Sequence, residues 1–391
     1  MSTFLRTNIR IKMASLQLAG RTLSVTAILL GAIFSTARLC AQVQTVPAMR
    51  LTQSDNVSFL DRDVTNFQLF ALLVDENVEP QATILPSQPT KTLIRHWREK
   101  TLPYLNTVGG TGDESIQQGY AVVATFYEAA ALWQLTGDAS YVDIMERALM
   151  GGLPATMMSS PDATERSVAA QAVMDASQMV YTTDTSGIFV NFFLNTMAHV
   201  CTPEGLDLLI DQATQMPFGP MMKLRLRDIN GRNATFTLRL RLPEWGTPHP
   251  DIFINGHETD YEVERGYAVI RRTWRPYDEL YMVFDILPKA IVKGDSTMFR
   301  CGPVVYCPQD SIPSDTQLRL LEGGEDELSH HPLYTLQYTQ GSDTLRTSLR
   351  PYFETPPLNR HIWMRKVHFE DGESQQEQSR SLDAAYLLEK T

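Results

Sequence analysis

The hydrophobic period of this chain changes once, near Gly187, and that change limits the folds open to it. Before it, apolar residues recur every three or four positions; after it they alternate. Residues 91–105 carry Leu93, Ile94, Trp97 and Leu105 at helical spacing, and Pro103 ends the regular part. Residues 115–135 set Tyr120, Val123, Ala124, Tyr127, Ala131 and Leu135 near one face. Thr136-Gly137-Asp138 stops that helix and starts the next, whose stripe is Tyr141, Ile144, Met145, Ala148 and Leu149 and whose end is Gly151-Gly152. A further helix is predicted over 163–181, with Val168, Ala172, Ala176, Met179 and Val180 on one side. Short turns between these segments predict helical hairpins. Beyond Gly187, residues 188–194 and 235–242 read as strands, the second with Phe236, Leu238, Leu240 and Leu242 on one face. Asn255-Gly256 is a hairpin turn signal, and segments 251–254, 267–273, 279–284, 289–293 and 304–307 continue the series. The expected class is α+β and multidomain: a helical layer followed by antiparallel β-sandwich domains.

A length of 391 residues exceeds what one core normally fills. The pattern divides it into a signal peptide (1–41), an irregular segment (42–90), a helical domain (91–184), a β-sandwich (185–295), a second sandwich portion (296–369) and a polar tail (370–391). Residues 67–74 read as a short helix within the irregular segment, which Pro80, Pro86 and Pro89 then break. Residues 1–41 combine Arg6, Arg10, Lys12 and Arg21 with an apolar run over 23–34 and small residues before Ala41. They predict export to the periplasm or the outside of the cell. Arg38-Leu39 ahead of Cys40 suits a lipoprotein cleavage site poorly. The run is too short to stay as a spanning helix, and no second long apolar stretch follows. The net charge is -11 and no basic cluster with interleaved aromatics occurs, which argues against nucleic acid as a partner. Cys201, Cys301 and Cys307 are odd in number and scattered, so they form no disulfide framework and read as small buried residues.

Several short motifs occur in a fixed order. Leu135-Thr136-Gly137-Asp138, Tyr141, Asp143 and Glu146-Arg147-Ala148-Leu149 come first, then Gly187-Ile188-Phe189-Val190-Asn191. Leu242-Pro243-Glu244-Trp245, Asn255-Gly256, Gly266-Tyr267-Ala268-Val269-Ile270, Trp274 and Asp278 follow. Cys301-Gly302-Pro303-Val304-Val305-Tyr306, Pro351-Tyr352, Asn359-Arg360 and Trp363 complete the series. In this order, over about residues 90 to 366, they resemble the β-L-arabinofuranosidases of glycoside hydrolase family 127. The resemblance implies a toroid of paired helices followed by two β-sandwiches. It also implies retaining cleavage of terminal β-L-arabinofuranosyl units, with plant-type glycans as the substrate class. In that chemistry a zinc-bound cysteine thiolate attacks the anomeric carbon and a glutamate protonates the leaving oxygen; one Glu and three Cys hold the zinc. Coordination keeps the thiol deprotonated near neutral pH.

Transferred residue by residue, that centre does not survive. Counting back from Thr136-Gly137-Asp138, the metal Glu falls on Gln118 and the first metal Cys on Tyr120. The Cys pair falls on the segment Thr164, Glu165 and Arg166 or, with a small insertion, on Ser159-Ser160-Pro161. An uncharged amide, a phenol and serine hydroxyls are poor replacements in a thiolate cage. Zinc in the family manner is therefore not expected, and no other cofactor is. Val108-Gly109-Gly110-Thr111-Gly112-Asp113-Glu114 resembles the turn before the general acid, which makes Glu114 the candidate for that role. Its plainer reading is a solvated carboxylate at a helix N-terminus. The roughly 140 residues between the signal and the first sandwich strand are too few for six hairpins, which need on the order of 300; a partial toroid is expected.

The remaining candidates have stronger plain readings. His96, beside Trp97, and His199, near a strand end, read as packing or surface residues. His330-His331 lacks a further ligand at metal spacing. Trp97, Trp133, Trp245, Trp274 and Trp363 are of a type that stacks on sugars, but the last three sit in framework motifs. Three functions stay open at this point. The first is an impaired glycosidase. The second is a non-catalytic carbohydrate- or protein-binding module on the same scaffold. The third is a two-carboxylate hydrolase built from Glu114 with Asp113 or Glu165.

Overall fold

The computed structural model describes residues 40–43, 89–112, 119–194, 196–202, 205–214, 216–217, 220–229, 231–284, 286, 288–325, 332–355, 362–365, 367–369 and 374–376. The expected helix at 67–74, and nearly all of the expected export signal and tail, lie outside them. Among the described residues, after the strand Cys40–Val43, come five α-helices: α1 (Pro89–His96), α2 (Gly119–Thr136), α3 (Ala139–Arg147), α4 (Leu153–Ser159) and α5 (Ala163–Gln178). A π turn (Trp97–Thr101) and a 3-10 turn (Leu102–Tyr104) extend α1, and Pro103 sits at the start of the latter. Asp138 caps α3 by accepting from the backbone N–H of Ser140, and Asp162 caps α5 by accepting from that of Thr164. Gly137, with φ of 65°, makes the tight turn between α2 and α3.

Two helical expectations need correction. Of the expected stripe on α2, Val123 and Ala124 are buried, but Tyr120, Tyr127, Ala131 and Leu135 are only partly so, and Val122, Phe126, Ala129, Ala130 and Trp133 are buried as well. The helix is apolar nearly all round and packs against α3, α4 and α5, so no single stripe marks its inner face. Gly151-Gly152 does not end a helix. The chain runs on through a π turn (Ala148–Gly152) into α4. The glycines serve close approach instead. The Gly152 N–H donates to the Val108 carbonyl at 3.0 Å, and a Cβ on Gly151 would lie 3.1 Å from that of Val108.

From Tyr181 on, and with the earlier strand Cys40–Val43, the described residues form three sheets of seven, five and nine strands. The seven-stranded sheet runs Cys40–Val43, Thr196–Cys201, Asp207–Thr214, Met221–Asp228, Glu279–Val283, Ile252–Ile254 and His257–Glu258. The five-stranded sheet is centred on Ala234–Arg241, which pairs antiparallel with Tyr267–Trp274 and parallel with Gly187–Val190. Alternation holds: Leu208, Ile210, Met222, Leu224 and Leu226 of one sheet share a core with Ile188, Leu238, Leu240 and Ile270 of the other. Asn255 and Gly256, with φ of 52° and 80°, form the expected turn between Ile252–Ile254 and His257–Glu258. The nine-stranded sheet begins with Pro288–Lys293, paired to Ser296–Cys301, and builds a separate core from Phe299, Tyr306, Leu318, Leu336 and Leu349.

The helices form one small layer that touches both cores. Trp133 meets Phe189 edge-on at 5.8 Å, and its indole N–H donates to the Tyr267 hydroxyl at 2.8 Å, which fixes α2 on the outer face of the five-stranded sheet. Val108 and Ala155 join the core of the nine-stranded sheet. The class is therefore α+β. No helix among the described residues is long and apolar enough to cross a membrane.

Candidate functional site

The glycine turn preceding α2 is held from within. Asn106 Oδ1 accepts from the backbone N–H groups of Val108 at 3.2 Å and Gly110 at 2.8 Å, and the Asn106 N–H donates to the Gly110 carbonyl at 2.9 Å. Gly109 takes φ of 80° and lies so close to the helical segment that a Cβ there would be 2.2 Å from the Ala148 nitrogen. Glu114 and Gln118 lie outside the described residues, so their roles rest on sequence position alone.

Tyr120 is described, and both segments matched to the family's cysteine pair come to it. The Tyr120 hydroxyl donates to Asp162 Oδ2 at 3.0 Å, and its backbone N–H donates to Glu165 Oε1 at 3.0 Å. Ser160 Oγ donates to the other oxygen of Glu165, and Arg166 Nη1 donates to the Ser160 carbonyl at 2.6 Å. Gly119 admits this approach, because a Cβ there would sit 2.6 Å from Glu165 Cδ and 2.3 Å from Thr156 Cγ2. Partial burial first, and the bond to Asp162 second, push the Tyr120 phenol up to about 12, so it stays protonated at neutral pH. The Thr164 N–H and then the Tyr120 hydroxyl hold the Asp162 carboxyl below its ordinary value. Glu165 is thus a carboxylate clamped over the N-terminus of α2, where the helix dipole favours it. Its oxygens bond Tyr120 and Ser160.

The other candidates divide. His96 Nδ1 lies 2.8 Å from Glu128 Oε1, and Thr101 donates to Glu128 Oε2 at 2.7 Å, so His96 ties α1 to α2. The bond to Glu128 raises the His96 pKa against the opposing effect of burial. Trp97, Trp133, Trp245 and Trp274 are buried; Trp97 packs edge-on to Tyr141 and Trp274 stacks on Phe236. Trp363 is partly buried, with the Lys293 ammonium 6.0 Å from its ring. His330-His331 lies outside the described residues. Cys301 and Cys307 are buried as expected, but Cys201 is only partly so, because it lies on the outer face of its strand.

A second polar group, centred on Arg241, was not anticipated. Arg241 has no exposed side-chain surface. It donates to Asp143 Oδ1 at 2.5 Å, to Glu146 Oε1, and through Nε to the Asn191 carbonyl at 2.6 Å. Trp245 Nε1 donates to the other Glu146 oxygen at 2.7 Å. Arg147 grips Glu244 with two parallel bonds of 2.8 and 2.5 Å, and Arg300 approaches the same carboxylate at 3.4 Å. Burial would raise the Glu244 carboxyl, but Arg147, Arg300 and Arg241 overcome it and hold the group at about 2. Three guanidinium groups thus face three carboxylates around a narrow cleft lined by Thr107, Arg147, Glu244, Trp245, Arg300 and Pro303. The charged groups of this joint all come from the helical layer's Asp143–Arg147 stretch, from residues 241–244 or from Arg300. The ordered motifs therefore converge on the seam between layers. Their one available signal was Arg241 itself, which alternation assigns to a solvent face.

The paired charges bind the helical layer to the sheets as one α+β frame. Residues 187–286 match the family model described as "Beta-L-arabinofuranosidase, GH127 middle domain". Solved structures agree on the fold. A GH127 β-L-arabinofuranosidase from Geobacillus stearothermophilus T6 superposes with a TM-score of 0.59 at 19% identity, covering 72% of this chain and 57% of that one. The GH127 β-arabinofuranosidase BT3674 gives 0.56 at 18% identity, covering 67% and 54%. The chain thus spans little more than half the length of these structures. A comparison with curated protein sequences finds no match. Residues 187–286 are thus similar to the GH127 middle domain and the fold to that of GH127 structures, in keeping with the motif order.

Proposed function

We propose that this protein keeps the GH127 scaffold without the zinc–thiolate centre, and so is a catalytically impaired relative of the β-L-arabinofuranosidases. The observation that carries the reading is the bonding of Tyr120, Ser160, Asp162 and Glu165 among themselves, at the place where the resemblance puts the cage. Zinc in the family manner does not fit this donor set. It offers hydroxyls and carboxylates, and a phenol held protonated is a poor ligand. The described thiols lie on sheet strands. Nor does the cluster suit the two-carboxylate alternative. Glu165 has a bond on each oxygen, which leaves it badly placed to pass a proton to a leaving group. The helical layer is read as a remnant of the family's toroid, and export by the N-terminal segment belongs to the same proposal.

The test is hydrolysis of an aryl β-L-arabinofuranoside by the full chain, with and without added zinc, beside calorimetric titration with arabinofuranosyl oligosaccharides. Turnover at the buffer rate in both conditions is expected. Turnover that Glu114→Gln abolishes would overturn the proposal. Sugar binding without turnover would assign the chain to the binding-module reading.

A further inference from the structure

The sheet region brings together three residues that are far from any role in the sequence. His199 and Cys201 are two apart on the strand Thr196–Cys201, so their side chains share its outer face, while Ala198 and Val200, which alternate with them, point into the core. Asp207 opens the next strand and is the direct cross-strand partner of Cys201. The hairpin between them is fixed. The Thr202 N–H donates to the Leu206 carbonyl at 2.8 Å, the Leu206 N–H donates to Thr202 Oγ1 at 3.2 Å, and Gly205 turns with φ of 82°. Leu208 and Ile210 anchor the second strand from below.

We propose that His199, Cys201 and Asp207 form a binding site for one divalent transition-metal ion, with zinc the best match. One nitrogen, one sulfur and one carboxylate oxygen lie within 4.8 Å of one another. Cys201 Sγ is 3.5 Å from Asp207 Oδ1 and 4.0 Å from His199 Nδ1, and His199 Nε2 is paired with Asp207 Oδ1. A tetrahedral zinc with bonds of about 2.0–2.3 Å sets its ligand atoms roughly 3.3–3.7 Å apart, so small side-chain rotations bring all three donors to it. The ion binds His199 Nε2 and Asp207 where they now bond each other; the imidazole keeps one proton, on Nδ1, and any second proton leaves to solvent. Cys201 gives its thiol proton to solvent as the metal–sulfur bond forms, and no electron changes hands. Thiolate and carboxylate then balance the two positive charges, with a neutral imidazole as third ligand. The neighbouring Asp211 is engaged by Arg227 at 3.4 Å and does not compete. His199 and Asp207 are 44% and 41% exposed, so the ion has a path in and a water can complete the coordination. The mixed N, O and S set disfavours magnesium and calcium, which take oxygen ligands. The site lies on the seven-stranded sheet and is independent of the cluster at Tyr120.

The test is titration of the chelator-treated full chain with Co(II), followed by Zn(II). One equivalent of cobalt is expected to give a thiolate-to-metal charge-transfer band, which zinc then removes. Cys201→Ser abolishes the band, and His199→Gln and Asp207→Asn each weaken binding at least tenfold, since even outer-shell partners are worth about 10–100-fold. Replacing both Cys301 and Cys307 by Ser leaves the band. Zinc, but not magnesium, raises the Tm of the unaltered protein, a readout that needs no variant to fold. No band at saturating cobalt, or a band that persists in Cys201→Ser, would overturn the assignment.

Discussion

Arg241 and Glu146 bond across the seam between the five-stranded sheet and helix α3, and neither side chain has more than a trace of solvent contact. The pair survives burial because Asp143, Asn191 and Trp245 complete its hydrogen bonds. Removing one member leaves the others charged and dry. Arg241→Met should therefore destabilise the protein by about 3–5 kcal/mol. Urea unfolding would measure it; a loss under about 1 kcal/mol would mean that water enters the seam freely.

Acid should open the same joint at Glu244. Its folded pKa, about 2, lies below the ordinary carboxylate value of 4.5. A depressed carboxyl contributes stability that is complete above the unfolded pKa and is lost as pH falls through the folded one. The stability difference between the natural protein and Glu244→Gln should be level above about pH 5 and shrink from there toward pH 2. Chemical denaturation at stepped pH would follow it, and a difference that grew on acidification would contradict the pairing.

Glu165 is predicted to act as a clamp. Glu165→Ala strips the Tyr120 N–H and Ser160 of their partner and should cost about 1–3 kcal/mol. Glu165→Gln keeps one acceptor for the Tyr120 N–H, presents an amide donor to the Ser160 oxygen, which can accept it, and loses the charge at the helix end, a cost of about 0.3–1 kcal/mol. Thermal unfolding of the two variants separates these outcomes. Equal losses would show that charge alone, and no bond, matters there.

Two glycines in one turn offer a further contrast. Gly109 and Gly112 both have positive φ, 80° and 87°. At Gly112 no atom lies within 4 Å of a built Cβ, so Gly112→Ala should cost only the backbone preference, about 1–2 kcal/mol. At Gly109 the added carbon would strike the Ala148 backbone, so Gly109→Ala must also push the glycine turn off the helical segment. Its Tm should fall well below that of Gly112→Ala.

Much of the frame was legible because it depends on local rules. The change of period at Gly187, the Thr136-Gly137-Asp138 junction and the Asn255-Gly256 turn each follow from backbone geometry and alternate burial. What escaped depends on distant partners. Gly151-Gly152 read as a stop because only contact with Val108 shows why glycine is needed inside a helix. Arg241 escaped notice because alternation puts it opposite Leu240 and Leu242 and knows nothing of the helices that cover that face. Tyr120, Ser160 and Glu165 stand out in the sequence as positions that the resemblance assigns to the metal cage; that they meet comes from the packing of α2 against α5. The meeting of Cys201 with Asp207 was hidden as well, because it turns on the register of a hairpin.

The seam around Glu244 draws on α3, the end of a central strand and the first hairpin of the nine-stranded sheet. Such a joint makes helices and sheets a single melting unit. Heat should remove the far-ultraviolet helical signal and the tryptophan fluorescence in one transition, since no layer can part without exposing charges that the others hold.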